Sequence, residues 1–556
     1  MTVGGSLMKR FIEEYAGKEF DLVIVGGGIT GAAVAYDAAS RGLSVALVEK
    51  GDFGSATSSA TSKMIHGGLR YLATFEFGLV RESLRERRIM ENIAPNFVYP
   101  MPVMFTSSDT RLSNNKWFIE IGMILYDILS FDKGWTWDKS KKLPMHRMVS
   151  RDRVLKMEPN VKKEGLTGAA MYYDCVSIVP ERLTLAFIKS AVKYGAQVSN
   201  YTKAMDFITN GGDGKHRRIT GVRVKDLIKN KEHDIRGKLV INCGGPWADI
   251  LLNLAGGKKA DEKLRRSEGI HIITKKLIND HIVGSTTAAG KHFFLIPWRN
   301  HSLIGTTDTE YVGSPDEYCV TRKSIESLIS EVNESFGNGS LIKYDDILYT
   351  YGGLRPLVED QTEDVYESSR KYEIYDNKED GLDGLVTVEG GKYTTSRNLA
   401  GSVMKMVKEK IGKKIGEEIT AKEYLAGSEI PDMEMFVLEC KKKYNSFRDS
   451  HMDYLSRIYG RELDAVMAIA GEKKEWSAPL NRDGEMLAQV IYAIRNEMAL
   501  TLKDILFRRT GLGTLGHPGD AVLKKIADTA ARELKWDEKR KKKEIKEVLD
   551  QLRIPE

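Results

Sequence analysis

The feature that most constrains this fold is a glycine-rich turn near the N-terminus, Gly26-Gly27-Gly28-Ile29-Thr30-Gly31. It directly follows the apolar run Asp21–Val25, which is typical of a buried strand, and it precedes a predicted helix over Gly31–Arg41. A second predicted strand covers Ser44–Glu49. Strand, tight turn, helix and strand in this order predict a βαβ unit, and therefore an α/β fold.

This turn has the form that binds the pyrophosphate of a dinucleotide. Glycines permit the sharp turn and a close approach of the phosphates, and the helix N-terminus offers free N–H groups. A carboxylate at the end of the second strand, here Glu49, accepts hydrogen bonds from a ribose diol. The alternative is a glycine-rich turn in an unrelated α/β protein. The predicted contacts are Gly26, Gly28, Ile29, Thr30, Gly31, Glu49 and Lys50.

A loop soon after the second strand favours FAD over a nicotinamide cofactor. Thr57–Lys63 is rich in small hydroxyl side chains, and His66-Gly67-Gly68-Leu69-Arg70-Tyr71 follows it. Hydroxyl groups suit a pyrophosphate and a ribityl chain, and glycines let the backbone pass close to a flat ring. A nicotinamide enzyme has no need of this loop; the alternative is a flexible serine loop. The predicted flavin contacts are Thr57, Ser58, Ser62, Lys63, Gly67, Gly68 and Leu69.

Composition argues against several other classes of protein. Lys and Arg exceed Asp and Glu by 84 − 78 = 6 in 556 residues, too mild a bias to indicate nucleic acid as a partner. There is no secretory signal and no run of about 20 apolar residues, so no membrane-spanning helix is expected. No metal site is expected either, because the cysteines are far apart and read as reduced thiols: Cys175, Cys243, Cys319 and Cys440.

Two segments have amphipathic or strongly apolar character. Leu7–Tyr15 predicts a short amphipathic helix, which either packs on its own protein or lies on a membrane surface, the first being favoured. Trp117–Leu129 predicts a helix whose few polar residues form a narrow strip. Such a helix is either buried nearly all round or rests one side on lipid, and burial is favoured.

Changes of pattern along the chain suggest the domain limits. Residues 1–19 form an N-terminal extension, and residues 20–95, 165–265 and 345–420 form a discontinuous nucleotide-binding domain. Residues 96–164 and 266–344 form a substrate domain, because runs such as Phe293–Pro297 and Ser302–Thr307 predict an antiparallel sheet. Residues 421–556 are predicted to be a helical C-terminal domain, in which Lys539–Lys543 reads as a solvated helix face.

The motifs also resemble those of a known family. The run Asp21–Tyr71 resembles the FAD-dependent glycerol-3-phosphate dehydrogenases, within the glycine- and D-amino-acid-oxidase type of flavoprotein, and the block Ala56–Tyr71 is its most specific part. The resemblance covers about residues 20–510. Further blocks follow in the same order: Asn242–Trp247, Ile304–Thr309, Gly352–Leu357, Glu389–Thr395 and Asp504–Thr510.

This resemblance implies a fold and a set of site residues. The fold is a Rossmann-like FAD-binding domain, an antiparallel-sheet substrate domain and a helical C-terminal domain. Arg355 and Arg70 would grip the substrate phosphate, for which the guanidinium fork is well suited, and Tyr71 would assist. Lys392, at the start of a predicted helix over Thr394–Lys410, would stabilise charge on the reduced flavin. Gly244, Trp247, Gly391, Thr394, Arg355 and Lys392 join the cofactor contacts, and one FAD is bound non-covalently.

The reaction also needs a group that accepts the hydroxyl proton of the substrate. Histidine suits this task near neutral pH. His271 lies in an apolar β-run and His66 in the flavin loop, and both match positions near the active site of the family. His271 is the preferred general base and His66 the second candidate. The proton also has other routes, with both histidines then only binding and orienting the substrate.

The family resemblance further implies the electron acceptor and the location. A membrane quinone would reoxidise the flavin, and the protein would attach peripherally to the inner, cytoplasmic face of the membrane, with a homodimer as one assembly. The alternative is a glycerol-3-phosphate oxidase that uses dioxygen and releases hydrogen peroxide. Such oxidases carry an insertion that is absent between Asp308 and Arg355. A more distant alternative is a flavin amine or amino-acid oxidase of the same fold, which would need a carboxylate clamp but no phosphate site. Another is a non-catalytic protein that binds a dinucleotide or serves as a membrane-associated scaffold, which would not need this set of cations.

Overall fold

A computed structural model describes residues 8–72, 74–109, 114–211, 217–256, 264–286, 292–336, 339–357 and 372–556. Strands and helices are numbered in chain order throughout. Over these residues the protein forms two large sheets flanked by helices and a helical region at the C-terminal end. The predicted fold, an α/β nucleotide-binding unit with an antiparallel-sheet unit and C-terminal helices, is therefore confirmed.

The first sheet contains the predicted βαβ unit at its centre. β1 lies between β10 and β2, parallel to both, and every residue of β1 is buried. The helix α1 (Ile29–Ser40) follows the glycine-rich turn, and ten of its twelve residues are buried because α5 (Pro180–Lys193) and α8 (Ser396–Lys410) pack on its other side. The strands of this sheet are β1 (Phe20–Val25), β2 (Val45–Val48), β7 (Gln197–Ser199), β8 (Thr202–Asn210), β9 (Arg217–Asp226), β10 (Lys231–Asn242), β17 (Tyr372–Asp376), β18 (Leu382–Asp383) and β19 (Leu385–Gly390).

The second sheet is mostly antiparallel and presents one face to the first. Its central ladder runs from β16 through β11, β14, β13, β12 and β4 to β6. Among the described strands of this second sheet, β12 and β4 are the one pair that runs parallel. The strands are β3 (Met64–Ile65), β4 (Val98–Ser108), β5 (Arg147–Ser150), β6 (Leu166–Ser177), β11 (Arg265–Lys275), β12 (Ile282–Thr286), β13 (His292–Trp298), β14 (His301–Gly305), β15 (Thr309–Tyr311) and β16 (Ile347–Leu357).

The helices pack on both sheets and make up most of the C-terminal region. Those before residue 411 are α1 (Ile29–Ser40), α2 (Phe77–Ile93), α3 (Lys116–Leu129), α4 (Arg151–Met157), α5 (Pro180–Lys193), α6 (Ala248–Ala255), α7 (Arg322–Ser335) and α8 (Ser396–Lys410). The later ones are α9 (Met433–Lys443), α10 (Asp449–Tyr459), α11 (Leu463–Glu472), α12 (Lys474–Ser477), α13 (Leu487–Asn496), α14 (Asp520–Leu534) and α15 (Glu538–Leu552). The basic run Lys539–Lys543 lies in α15, as the helical pattern predicts.

A buried group of charges joins the C-terminal helices to the first sheet. Asp52, in the loop after β2, accepts hydrogen bonds from Arg508 at 2.6 Å and from Arg509 at 2.8 Å. Both arginines lie in a short π-helical turn, Asp504–Arg509. Arg182 of α5 pairs with Glu497 at 2.9 Å in the same region. The C-terminal helices thus hold the loop that follows β2, on which nucleotide contacts were predicted.

The predicted N-terminal helix over Leu7–Tyr15 is wrong, and Leu7 itself lies outside the described residues. Only a 3-10 turn, Phe11–Glu13, forms there. Ile12 is buried, and Arg10 donates to Asp226 at 2.7 Å and to the Asn200 carbonyl at 3.0 Å. The tertiary hydrogen bonds of Arg10 replace the regular helix, and the segment packs on its own protein.

The sheet pairing also differs from the predicted division of the chain. The segments 165–265 and 345–420 were assigned to the nucleotide-binding domain. However, β6 and β16 lie within them and pair in the second sheet, β6 with β4 and β16 with β11. Long-range pairing of this kind depends on strand neighbours that the sequence does not reveal. The domain limits as a whole stay a prediction.

Candidate active site

One large cavity lies between the two sheets and has a volume of about 1330 Å³. The turns after the carboxyl ends of β1, β2 and β10 open into it, which is where ligands bind in parallel α/β sheets. The second sheet forms its floor through β11, β13 and β16, and α3 covers one end. All predicted site residues line this cavity except Gly31, Lys63 and Gly67.

The glycine-rich turn is packed so closely that side chains would not fit. A Cβ atom at Gly26 would lie 2.3 Å from the Cys243 carbonyl oxygen, and one at Gly31 would lie 1.9 Å from the Gly26 oxygen. Gly31 therefore allows close packing at the start of α1, and it is not among the residues that line the cavity. Ser58 Oγ accepts a hydrogen bond from the Ile29 N–H at 2.9 Å, at the open N-terminus of α1. This cradle of backbone N–H groups and hydroxyls fits the pyrophosphate of FAD.

Glu49 lines the part of the cavity in which a ribose diol would bind. Its carboxylate accepts N–H groups from Gly27 and Gly51, both at 2.7 Å, which hold it in place. Burial raises the pKa of Glu49, and these two N–H groups oppose that shift. Each oxygen keeps a second lone pair for a ribose hydroxyl. These acceptor oxygens therefore fit the ribose in the adenosine part of FAD.

Lys50 and Trp247 form one side of the same end. The Lys50 ammonium lies 3.9 Å from the centre of the Trp247 ring and 2.6 Å from Asp316. Trp247 Nε1 also donates to Asp316 at 3.0 Å. Asp316 was not predicted as a site residue. It lies in the loop after β15 of the second sheet and bonds to Lys50 and Trp247, which follow strands of the first sheet.

The hydroxyl-rich loop runs from this end toward the second sheet. Thr57 Oγ1 donates to the Leu354 carbonyl at 2.6 Å, and Ser62 Oγ lies 2.8 Å from His271 Nε2. Lys63 is not brought to the cavity, because its buried ammonium pairs with Glu181 at 2.8 Å. The loop therefore supplies hydroxyl groups along the length of the cavity, and its lysine is structural.

Three cations line the other end: Arg70 and Lys392 lie at the ring of Tyr71, and Asp308 links Arg70 to Arg355. Arg70 Nη2 donates to Tyr71 Oη at 3.1 Å, and Lys392 Nζ lies 3.8 Å from the centre of the ring. Lys392 Nζ also donates to Ser83 at 3.2 Å. The Arg355 Nη1 and Arg70 Nη1 atoms lie 3.4 and 3.9 Å from Asp308 carboxylate oxygens. The net positive charge of this group suits a small dianion such as a phosphate.

Arg355 is held in place by the loop after β14 and by β11. Nη2 donates to Thr306 Oγ1 at 2.7 Å, and Nη1 donates to the Glu268 carbonyl at 3.2 Å. Gly269 makes room for it, since a Cβ atom there would lie 2.0 Å from Arg355 Nη2. Asp308 and Thr306 were not predicted as site residues. They could have been found in the block Ile304–Thr309, which was noted only for its resemblance.

The two candidate histidines differ in their surroundings. His271 is 1% exposed, stacks on Tyr351 with ring centres 4.9 Å apart, and meets Ser62 through Nε2. Its Nδ1 is buried, and no described residue hydrogen-bonds it. Burial, then the charge of Arg355, holds the pKa of His271 well below its usual value. The ring is therefore neutral at neutral pH and has Ser62 between its Nε2 and a hydroxyl-lined part of the cavity.

His66 is arranged as a donor. Its Nδ1 accepts the N–H of Gly68 at 3.1 Å, so the neutral ring carries its proton on Nε2. Burial lowers the pKa of His66 to about 4, although the nearby Asp174 carboxylate acts in the opposite direction. Behind it, Gly67 donates its N–H to Tyr126 Oη at 3.1 Å, and Tyr126 donates to Asp174 at 2.9 Å. Gly67 thus anchors the loop rather than touching the cavity.

A third histidine, His292, was not predicted. It lines the cavity from β13, beside Phe105, with ring centres 5.6 Å apart. Burial, then the charge of Arg70, lowers its pKa to about 4. Alternation along β13 would have placed it on the same face as Phe294, had the predicted strand begun one residue earlier.

The predicted burial of the helix over Trp117–Leu129 is wrong on one side. α3 forms as expected and buries Ile119, Met123 and Tyr126 against β4 and β6. Its other side exposes large apolar side chains, here called the α3 face: Trp117, Phe118, Ile121, Ile124 and Ile128. Trp117 is 71% and Ile121 67% exposed. In the described ranges, no helix combines the length and apolar content needed to span a bilayer.

Comparisons with known proteins agree with this geometry. Residues 21–397 match the FAD dependent oxidoreductase family, and residues 418–541 match the C-terminal domain of alpha-glycerophosphate oxidase. The chain is 33% identical to a glycerol-3-phosphate dehydrogenase of Synechocystis sp., over 98% of this chain and 99% of the relative. It is 32% identical to an aerobic glycerol-3-phosphate dehydrogenase of Staphylococcus aureus, over 89% and 87%.

A solved structure is similar over nearly the whole length. It is the glycerol-3-phosphate dehydrogenase from Bacillus halodurans complexed with FAD. The TM-score is 0.78 at 27% identity, covering 97% of this chain and 96% of that one.

Proposed function

Because the chain belongs to the FAD-dependent glycerol-3-phosphate dehydrogenase and oxidase family, we propose that it oxidises sn-glycerol 3-phosphate to dihydroxyacetone phosphate and passes the electrons to a membrane quinone. FAD is its cofactor. The observation that carries the proposal is the group of Arg70, Arg355 and Lys392, which shares one cavity with the glycine-rich turn. A small phosphate and a dinucleotide are thus accommodated side by side.

The cations divide the work of binding and of charge stabilisation. Arg70 and Arg355 grip the phosphate, and Asp308 between them keeps both guanidinium groups oriented when the site is empty of substrate. Lys392 precedes α8 and lies on Tyr71, next to Gly68 of the flavin loop. FAD, when bound, would supply the acceptor for the hydride of carbon 2 of the substrate. Lys392 would offset the negative charge that reduction adds.

The hydroxyl proton of the substrate goes to His271 by way of Ser62. Ser62 lines the cavity, and its Oγ lies 2.8 Å from His271 Nε2, so it receives the proton on one side and gives its own on the other. The depressed pKa of His271 keeps the ring unprotonated and ready to accept. His66 donates from Nε2 to a substrate oxygen and orients it, because its Nδ1 is already occupied.

The quinone acceptor is supported by the continuity of the cavity with the α3 face. Ile119, Gly122 and Met123 line the cavity from inside α3, and Phe118 and Ile121 belong both to its lining and to the α3 face. Phe75, 77% exposed, extends the apolar surface beside them. Exposed apolar side chains of this size on one helix face suit the surface of a lipid bilayer, where quinones dissolve. For this reason we propose that the enzyme attaches peripherally to the cell membrane, on the inner face that the family resemblance implies.

Anaerobic spectroscopy of the purified flavoprotein tests the proposal. Glycerol 3-phosphate should bleach the flavin absorbance, and glycerol, which lacks the phosphate, should not at the same concentration. The reduced enzyme should then be reoxidised faster by decylubiquinone than by air. Faster reoxidation by air, with hydrogen peroxide as product, would instead identify an oxidase. A flavin that stays oxidised with glycerol 3-phosphate would refute the proposed substrate.

A further inference from the structure

One hydrogen bond on the proposed proton path joins two separate parts of the fold. Ser62 lies in the hydroxyl-rich loop between β2 and β3, and His271 lies on β11 of the second sheet. Ser62 Oγ and His271 Nε2 are 2.8 Å apart. A proton passes directly between two heavy atoms at about 2.6–3.2 Å, so the reaction depends on how well this distance is kept. Tyr351 of β16 contacts both parts and is therefore placed to keep it.

Tyr351 packs on the imidazole of His271. The two residues lie opposite each other in the ladder of β11 and β16, and their rings stack with centres 4.9 Å apart and planes 17° from parallel. On the other side of β11, Gly305 of β14 faces His271, and a Cβ atom at Gly305 would lie 2.5 Å from the imidazole Cδ2. Thr350 Oγ1 adds a hydrogen bond to the His271 carbonyl at 3.0 Å. The strands on both sides of β11 thus hold the imidazole in its plane.

Tyr351 also contacts the residues on either side of Ser62. Its Oη donates to the Thr61 carbonyl at 2.8 Å, and the Lys63 ammonium lies 5.2 Å from the centre of its ring, within the range of a cation–π contact. Lys63 has a φ of 59°, a conformation that a lysine keeps only where surrounding contacts fix it. The buried ion pair of Lys63 with Glu181 supplies a further contact of this kind. Ser62 is therefore bracketed by two attachments to a single side chain.

The ring of Tyr351 belongs to a row of aromatic side chains that ends in the C-terminal helices. Tyr349, two residues earlier on the same face of β16, has its ring centre 6.2 Å from that of Tyr351. Phe507 stacks on Tyr349 with ring centres 5.9 Å apart, and it lies in the π-helical turn Asp504–Arg509. Both Tyr349 and Phe507 are buried. The C-terminal region therefore supports the aromatic ring that packs on His271.

We infer that Tyr351 is a positioning residue for the proton transfer and holds Ser62 and His271 at hydrogen-bonding distance. The stacked ring fixes the proton acceptor, and the hydroxyl fixes the loop that carries Ser62. Tyr351 is not among the residues that line the cavity, so it acts through these two side chains and not on the substrate itself. This inference rests on the proposed function and assigns part of the reaction to a residue outside the cavity.

Substitution of Tyr351 should slow flavin reduction without weakening substrate binding. Tyr351→Phe keeps the stacked ring and removes the bond to the Thr61 carbonyl, so the limiting rate of flavin reduction by glycerol 3-phosphate should fall about tenfold, the equivalent of one hydrogen bond. Tyr351→Leu also removes the stacking and should slow reduction roughly a hundredfold, as a small misplacement of reacting groups does. In anaerobic stopped flow the dissociation constant of the substrate should change less than twofold, because Arg70 and Arg355 are unaltered.

A double-mutant cycle with Ser62 separates positioning from a general loss of structure. In a Ser62→Ala background the proton path is already cut, so adding Tyr351→Phe should change the rate of flavin reduction less than twofold. Tyr349→Phe is the matched control: it removes a hydroxyl from the same face of β16, keeps the aromatic row and should reduce its flavin as fast as the wild type. A tenfold loss in the Ser62→Ala background, or an unchanged rate in Tyr351→Phe alone, would overturn the inference. An equal loss in the control would do the same.

Crystal structures of the oxidised variants test the geometry without turnover. In Tyr351→Phe, Ser62 Oγ should lie beyond about 3.5 Å from His271 Nε2, and in Tyr349→Phe the hydrogen bond should remain. A pair that stays at hydrogen-bonding distance in Tyr351→Phe would overturn the inference, whatever the kinetics. If glycerol 3-phosphate does not reduce the wild-type flavin, the proposed function fails, and these structures still decide whether Tyr351 holds the pair.

Discussion

Replacing Arg355 with alanine isolates the contribution of one guanidinium to phosphate binding. A unit charge about 4 Å from a phosphate contributes about 4 kcal/mol at an effective dielectric constant near 20. The Arg355 side chain is 24% exposed and is already partly neutralised by Asp308, so solvent and that carboxylate reduce the effect. A loss of about 2–3 kcal/mol remains, which is in the range of one charge-assisted hydrogen bond. It corresponds to a decrease in kcat/KM of roughly 30- to 150-fold.

The same substitution has a second consequence that can be measured separately. Without Arg355, the carboxylate of Asp308 loses its ion pair at 3.4 Å, keeps the weaker one with Arg70 at 3.9 Å, and would repel the substrate phosphate. Asp308→Asn in the Arg355→Ala background should therefore restore part of the lost kcat/KM. The matched control is Arg265→Ala, which removes an arginine from β11, the strand that pairs with β16, where Arg265 pairs with the exposed Glu310.

Anaerobic stopped-flow reduction of the flavin over a range of glycerol 3-phosphate concentrations separates the dissociation constant of the substrate from the rate constant of flavin reduction. The dissociation constant for the substrate should carry most of the loss, and flavin content should remain that of the wild type. Loss of the flavin with normal substrate affinity in the reconstituted enzyme would assign Arg355 to the cofactor. Unchanged kcat/KM in Arg355→Ala would refute the phosphate role altogether.

Other substitutions test the remaining parts of the site and fold. Lys392→Met should slow flavin reduction by roughly 10²-fold or more in stopped flow, since it removes the cation beside the reduced ring. His66, whose pKa lies near 4 when folded and 6.5 when unfolded, takes up a proton on unfolding between these values. The free energy of unfolding in urea should therefore fall as the pH falls from 6.5 to about 4, by up to about 1.4 kcal/mol per pH unit. His66→Asn should remove this contribution to the dependence of the unfolding free energy on pH. Arg509→Gln should destabilise the protein by about 3 kcal/mol in urea titrations, because it takes a partner from the fully buried Asp52. Ile124→Asp should abolish sedimentation with anionic lipid vesicles and leave flavin reduction by substrate unchanged.

Local signals in the sequence were sufficient for the nucleotide half of the site. The glycine-rich turn, the helix after it and Glu49 lie within 24 residues of one another, so spacing alone places them, and the structure has α1 and β2 within two residues of the predicted ends. The fold class was predictable for the same reason. The family resemblance then supplied Arg70, Arg355 and Lys392, which come from three distant parts of the chain.

The missing parts depend on tertiary contacts. Asp308 joins the site because β11 and β16 place Arg355 beside it, and His292 joins because β13 pairs between β12 and β14. Neither pairing is encoded in a local pattern. The composition of α3 indicated an apolar helix. It did not indicate which side of the helix packs on β4 and β6, and that packing leaves the α3 face exposed. Arg10 likewise forms its hydrogen bonds with residues about 190 and 216 positions away, and no periodicity reports them.

The central claim is that this cavity oxidises glycerol 3-phosphate at bound FAD. A single anaerobic turnover tests it most directly: the holoenzyme is mixed with an excess of sn-glycerol 3-phosphate, and both the bleached flavin and the ketone product are quantified. We predict complete bleaching and one dihydroxyacetone phosphate per flavin reduced. A flavin that remains oxidised, or that is bleached without formation of dihydroxyacetone phosphate, would contradict the assignment.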